Sequence, residues 1–125
     1  MKASMPTVMV VDDDVDLCGM LEAFLGFEGF DVLTARNGSE ALRQLHERRP
    51  AVILLDMMMP VMDGVEFRLH QQREPSLRDI PVVCVSARHD ARHTAAKLGF
   101  AGFLSKPFSL DAVMVAVRGF CPASP

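Results

Sequence analysis

The sequence predicts an α/β fold in which one parallel five-stranded sheet is covered by helices on both faces. Five short apolar runs rich in β-branched residues recur along the chain, and each is followed by a segment with helical periodicity. The first, third and fourth runs are continuously apolar, which is typical of parallel strands buried on both faces. Right-handed crossovers between successive strands then place the helices on the two faces of the sheet.

The first two helices have clear boundary signals. The predicted strands span residues 7–11, 31–35, 52–55, 81–85 and 101–104. After the first strand, apolar residues recur at helical spacing from Leu17 to Leu25, and the glycines that follow end the helix. The second helix begins after Asn37, which can act as N-cap while Glu40 serves as the N3 partner of a capping box.

The third predicted helix, at about 65–73, has the least regular pattern. Three polar residues interrupt its apolar stripe: Arg68, Gln71 and Gln72. Val65 and Leu69 therefore remain as its predicted core contacts, and Pro75 ends it.

The last two helices are predicted at about 90–98 and from Ser109 through Val117. Gly99 ends the former, and Ser109 is the N-cap of the latter. Phe108 is placed to pack against Val113 as a hydrophobic staple.

Size and composition limit the classes of function. A chain of 125 residues suits one domain, predicted at 1–120 with a short tail at 121–125. The net charge of −3 gives no electrostatic case for binding nucleic acid or an acidic membrane surface. Three widely spaced cysteines argue against a disulfide framework, and no apolar stretch approaches the roughly 20 residues of a membrane span. We therefore predict a cytoplasmic protein.

Charged and polar side chains follow four of the five predicted strands. Asp12 and Asp13 follow the first strand, Asp56 the third, Ser86 the fourth and Lys106 the fifth. Because ligands of parallel α/β sheets bind at the carboxyl ends of the strands, these residues should line one pocket. Crowded carboxylates favour a divalent cation such as Mg²⁺, and a lysine beside them favours phosphoryl transfer with Asp56 as the nucleophile.

Over residues 8–119 the chain resembles a response-regulator receiver domain. The matching segments, in family order and spacing, are Val10-Val11-Asp12-Asp13-Asp14, Leu54-Leu55-Asp56-Met57-Met58-Met59-Pro60, Met62-Asp63-Gly64, Val85-Ser86-Ala87 and Lys106-Pro107-Phe108. The resemblance implies a flavodoxin-like (βα)5 fold with strand order 2-1-3-4-5.

The resemblance also implies a role for each site residue. Asp56 would accept a phosphoryl group from a phosphohistidine on a sensor histidine kinase or a histidine phosphotransfer protein. Asp13, Asp56 and the Met58 main-chain carbonyl would hold Mg²⁺ directly, and Asp12 would act through water. Lys106 and Ser86 would bind phosphoryl oxygens.

Three further implications concern switching and phosphate lifetime. Phe103 would turn inward as Ser86 moves toward the phosphate, and the surface of the fourth helix, fifth strand and fifth helix would then bind a downstream effector protein. The domain would be a monomer or a weak phosphorylation-dependent dimer. Met58 and Arg88 flank the phosphoryl site, and we expect a bulky apolar group and a cation there to slow hydrolysis of the phosphate.

Other functions remain as alternatives. A haloacid-dehalogenase-type phosphohydrolase would use Asp12 as nucleophile and Asp14 as general acid, but only isolated acids follow Ser86. The residues also allow a receiver-like scaffold that is never phosphorylated. A copper site at methionines 57–59 is disfavoured because Met commonly fills gaps in a core. A zinc site at His89 and His93 is disfavoured because no third zinc ligand is evident.

Overall fold

The computed structural model describes residues 5–88 and 90–121. Strands and helices alternate along the chain. The strands are β1 (Thr7–Val11), β2 (Asp31–Ala35), β3 (Val52–Asp56), β4 (Val82–Ser86) and β5 (Gly102–Ser105). The helices are α1 (Val15–Phe27), α2 (Gly38–Leu45), α3 (Gly64–Arg73), α4 (Ala91–Lys97) and α5 (Leu110–Arg118).

All neighbouring strands are parallel, in the order β2-β1-β3-β4-β5. This confirms the predicted fold class and strand order. The structure differs from the predicted strand limits by one residue: β3 ends later, at Asp56, and both β4 and β5 begin and end one residue later than predicted, so that β4 ends at Ser86. Both polar side chains therefore lie on the last residue of a buried strand.

Alternate residues of the central strands face two separate cores. Val8 and Val10 pack with α1 and α5 on one face of the sheet, and Met9 and Val11 pack with α2 and α3 on the other. β3 and β4 are buried along their whole length, as their continuous apolarity predicts. Phe108 packs against the core cluster that contains Val113, in agreement with the predicted staple.

Side-chain capping fixes the start of four helices. The N-cap residues of α1, α2, α3 and α5 accept a hydrogen bond from the main-chain N–H three residues later: Asp14, Asn37, Asp63 and Ser109. Each such cap contributes about 1 kcal/mol. Helix α4 differs, because its N-cap residue Asp90 has an αR backbone and makes no side-chain capping bond to the helix.

The predicted core face of α3 is confirmed at Val65, which is partly buried and packs against the cluster of Met57, Cys84 and Ala95, and it is wrong at Leu69. Leu69 is 42% exposed, whereas Phe67, Arg68 and Gln71 are buried. Polar side chains are buried here because they satisfy main-chain carbonyls. Arg68 donates to the Leu98 and Gly99 carbonyls at 2.9 and 3.1 Å, and Gln71 donates to those of Leu77 and Ile80 at 2.9 and 3.0 Å. Periodicity of apolar residues alone therefore does not identify the polar side chains that this helix buries.

In the part of the chain that the structure describes, no helix has the length and apolarity needed to cross a membrane. Residues 122–125 of the predicted tail lie outside the described residues.

Candidate functional site

The parallel register brings the predicted site residues to one edge of the sheet. Asp12 follows β1, Lys106 follows β5, and Asp56 and Ser86 end the two strands between them. One carboxylate oxygen from each of Asp12, Asp13 and Asp56 lies within 4.8 Å of the others. Asp12 and Asp56 are buried and Asp13 is exposed, so the acidic cluster opens to solvent on one side.

Lys106 provides the positive charge of this cluster. Its Nζ donates to Asp12 Oδ2 at 2.9 Å and lies 3.6 Å from Asp56 Oδ2. Burial alone would lower the pKa of Lys106, but the hydrogen bond to Asp12 and the charge of Asp56 outweigh burial, so this pKa is raised. The ammonium therefore stays charged between two buried carboxylates.

The single ammonium of Lys106 does not neutralise three carboxylates, and the pKa of Asp56 reflects this excess of negative charge. Burial, and after it the charge of Asp12, raises the pKa of Asp56 from 3.8 to about 6. A hydrogen bond of 3.2 Å from the Met58 main-chain N–H to Asp56 Oδ1, together with Lys106, opposes this shift. Excess negative charge on hard oxygen ligands is the environment that suits a divalent cation such as Mg²⁺.

Ser86 lies at the buried end of β4, with 1% of its surface exposed. Its Oγ accepts a hydrogen bond from the Arg88 main-chain N–H at 3.1 Å. A hydroxyl that accepts in this way keeps its own proton for donation. Ser86 can therefore donate to a group bound at the strand ends without breaking its contact with Arg88.

A cleft of about 250 Å³ lies between the β3–α3 and β4–α4 connections. Its lining includes Met57, Met58, Ser86, Arg88 and Asp90. The Met58 side chain is 62% exposed there. The structure thus brings the two predicted rate-tuning residues, Met58 and Arg88, to the same cleft as the predicted phosphate-binding hydroxyl.

Phe103 is half-buried on β5 and packs against Met57, Cys84 and Ala95. The guanidinium carbon of Arg92 lies 4.7 Å from the centre of its ring, which is the geometry of a cation–π contact. The sequence does not predict this contact, because no motif marks an exposed arginine that lies over an aromatic ring.

Several other candidates do not join the site. The Asp14 carboxylate accepts from the Leu17 N–H at 3.1 Å as the α1 cap, so it is not placed as a general acid.

Among residues 5–88 and 90–121, the three aspartates are the group of acids, histidines and cysteines close enough to hold a metal ion. His93 does not take part in such a group, and His89 lies outside the described residues. Burial raises the pKa of the Cys84 thiol to about 12, which makes it unreactive.

Comparison with known sequences gives one consistent result. A family model described as the response regulator receiver domain matches residues 8–118. The transcriptional regulatory protein PrrA of Mycobacterium tuberculosis is 42% identical over 115 residues, which cover 90% of this chain and 48% of PrrA. A CpxR homolog of Haemophilus influenzae is 41% identical over 107 residues, covering 84% of this chain and 45% of that protein. The chain thus spans about half the length of the curated relatives it matches.

Solved structures agree with the sequence matches. A chemotaxis response regulator of Vibrio cholerae superposes with a TM-score of 0.86 at 28% identity, covering 94% of this chain and all of that one. A structure described as a putative response regulator from Chloroflexus aurantiacus gives a TM-score of 0.87 at 28% identity, with 94% and 98% coverage.

Proposed function

The chain belongs to the response regulator receiver domain family, a family of signalling domains, and on this premise we propose that Asp56 is its phosphoacceptor. The donor is a phosphohistidine on a sensor histidine kinase or a histidine phosphotransfer protein. The observation that carries the proposal is the position of Asp56: a carboxylate 5% exposed, 3.6 Å from the Lys106 ammonium and grouped with two further carboxylates at the open edge of the sheet.

The acidic cluster fits Mg²⁺ because it offers hard oxygen ligands with more negative charge than Lys106 offsets. In our proposal Asp13, Asp56 and the Met58 main-chain carbonyl hold the ion directly, and Asp12 holds it through water. When bound, Mg²⁺ supplies positive charge to the phosphoryl oxygens.

The transfer step follows from the groups around Asp56. An ionised Asp56 oxygen attacks phosphorus, an O–P bond forms, and the N–P bond of the phosphohistidine breaks with its electron pair remaining on the imidazole. Lys106 Nζ then pairs with one phosphoryl oxygen and the Ser86 hydroxyl donates to another. Attack of water on phosphorus later returns the carboxylate and releases inorganic phosphate. In this proposal the domain promotes only its own phosphorylation and dephosphorylation.

Phosphorylation adds charge and acceptor oxygens that Ser86 and Lys106 bind in one of two arrangements of the domain. We propose that Phe103 turns inward in the phosphorylated arrangement, and that α4, β5 and α5 then present a changed surface to a downstream effector protein. Release of the Arg92 contact with the Phe103 ring would be part of this change. The same proposal includes three further expectations. The protein is a monomer or a weak phosphorylation-dependent dimer, it is cytoplasmic, and its receiver unit spans residues 1–120 and is followed by a short tail.

Labelling of the chain tests the proposal directly. The protein is incubated with Mg²⁺ and ³²P-labelled acetyl phosphate, and the labelled carboxylate is located by peptide mapping. We expect label on Asp56 and none in Asp56→Asn. Label on Asp12 would indicate the hydrolase, and an unlabelled chain would indicate the scaffold; either result would overturn the proposal.

A further inference from the structure

Arg88 and Asp90 form a two-point ion pair at the rim of the cleft beside Ser86. Arg88 Nε donates to Asp90 Oδ1 at 3.1 Å, and Nη2 donates to Oδ2 at 3.0 Å. The Arg88 main chain is meanwhile tied to the Ser86 hydroxyl at 3.1 Å. The backbone of Arg88 is therefore fixed next to the predicted phosphoryl-binding hydroxyl, while its guanidinium is turned to the α4 side of the cleft.

A second acid on the same cleft makes the pairing specific. Asp63 also lines the cleft, but its carboxylate accepts from the Glu66 N–H at 2.9 Å as the α3 cap. Asp90 precedes α4 in the equivalent position, yet its carboxylate is bound by Arg88 and makes no capping bond to the helix. The two acids thus line the same cleft and have different partners.

Resting on the phosphoacceptor role of Asp56, we propose that Asp90 is a positioning residue, which holds the Arg88 guanidinium away from the phosphoryl site until a phosphoryl group on Asp56 competes for it. Arg88 and Asp90 are 62% and 69% exposed, and exposed ion pairs are weak. A phosphoryl group carries more negative charge than one carboxylate and offers three acceptor oxygens, so it can displace Asp90 as the partner of the guanidinium.

The pair therefore sets how much of the time Arg88 covers the phosphate. With Asp90 in place, the guanidinium is divided between two anions. Without the Asp90 charge, it is available to the phosphate alone. Because a cation held on the phosphoryl oxygens hinders attack by water in our proposal, loss of Asp90 lengthens the life of the acyl phosphate, and it does so through Arg88.

Phosphate lifetime in four proteins tests this: the unmodified chain, Asp90→Asn, Arg88→Ala, and the double variant. Each is labelled with ³²P-acetyl phosphate and Mg²⁺, and loss of label is followed after removal of the donor. We expect Asp90→Asn to lengthen the half-life about two- to fivefold, the range that corresponds to the strength of exposed ion pairs. Asp90→Asn in the Arg88→Ala background should leave the half-life of Arg88→Ala unchanged.

Asp63→Asn is the matched control, since it removes the same charge from the same cleft and asparagine can still cap α3. An equal gain in half-life for Asp63→Asn, or a gain from Asp90→Asn that persists without Arg88, would overturn the proposal in favour of a general charge effect. The ¹⁵N NMR signal of Arg88 Nε gives a readout that needs no turnover. It should shift on addition of Mg²⁺ and beryllofluoride, and Asp90→Asn should shift it in the ligand-free protein.

The two levels of proposal fail in different ways. If the unmodified chain takes no label on Asp56, the phosphoacceptor role is wrong. If Asp56 is labelled and the Asp90→Asn half-life equals that of the unmodified chain, the role of Asp56 stands and that of Asp90 is wrong.

Discussion

Asp56→Asn should stabilise the metal-free domain at neutral pH, because an ionised Asp56 is unfavourable in the folded protein. The pKa of Asp56 is about 6 in the fold and 3.8 for an ordinary aspartate. Each pKa unit corresponds to about 1.4 kcal/mol, so ionisation of Asp56 lowers the free energy of unfolding by up to about 3 kcal/mol. Asparagine removes the charge and keeps an oxygen that can accept from the Met58 N–H.

The sign of the pH dependence follows from the raised pKa. Between pH 3.8 and about 6 the folded state binds more protons at Asp56 than the unfolded state does. Stability is therefore lost as pH rises through this window, and the full loss is present above it. The gain from Asp56→Asn should be largest at pH 7–8 and should vanish near pH 4.

Urea and thermal unfolding in EDTA, measured at several pH values, provide the assay. A gain of about 3 kcal/mol corresponds to a rise in Tm on the order of 10 °C for a domain of this size. Asp111→Asn, which removes an exposed carboxylate from the first turn of α5, is the control for net charge. Equal or lower stability of Asp56→Asn at pH 8, or a gain that does not shrink toward pH 4, would refute the reasoning.

Three more predictions concern the metal, helix α3 and the phosphate. Mg²⁺ should raise the Tm of the unmodified chain, and Asp13→Asn should remove most of that rise; calorimetry with and without EDTA measures it, and an unchanged rise would exclude Asp13 as a ligand. Arg68→Met should lower the free energy of unfolding by about 2–4 kcal/mol in urea titrations, because it removes the Arg68 donor from the Gly99 carbonyl and the shorter of two hydrogen bonds to the Leu98 carbonyl; exposed Gln72→Met, which removes only the longer bond to Leu98, should change it far less. Met58→Ala and Arg88→Ala should each shorten the half-life of the Asp56 phosphate, and a half-life shortened by neither variant nor by both together would show that these side chains do not shield it.

The strand ends could be predicted from sequence because two independent signals coincide there. A buried parallel strand is recognisable as a continuous apolar run, and the first charged or polar residue after it marks the edge of the sheet. Asp56 and Ser86 are both of this kind, and strand pairing then brings them to the same edge. When the order of parallel strands is known, their pairing fixes the position of each strand end to within about one residue. The predicted positions of Asp56 and Ser86 therefore agree with the structure.

The arginine contacts could not be predicted in the same way. Arg68 interrupts the apolar stripe of α3, yet it is 8% exposed because the end of α4 presents carbonyls to it. Such a pairing joins residues about 30 positions apart in the sequence, and it depends on how α3 packs beside the C-terminal end of α4. The Arg92 and Arg88 contacts depend on side-chain rotamers at exposed positions, and these leave no periodic pattern in the sequence.

These arginines also explain how a change of charge at Asp56 could reach the α4 surface. Helix α4 buries two alanines, Ala91 and Ala95, and so gains little from apolar burial. It is instead linked to its surroundings by polar contacts: Arg68 at its C-terminal end, Arg92 on the Phe103 ring and the Arg88–Asp90 pair at its start. Ionic and cation–π contacts at exposed positions are individually weak, and they respond to a new anion as apolar packing does not. In our proposal, a helix held mainly in this way is repositioned by one phosphoryl group on Asp56 without disruption of either core of the sheet.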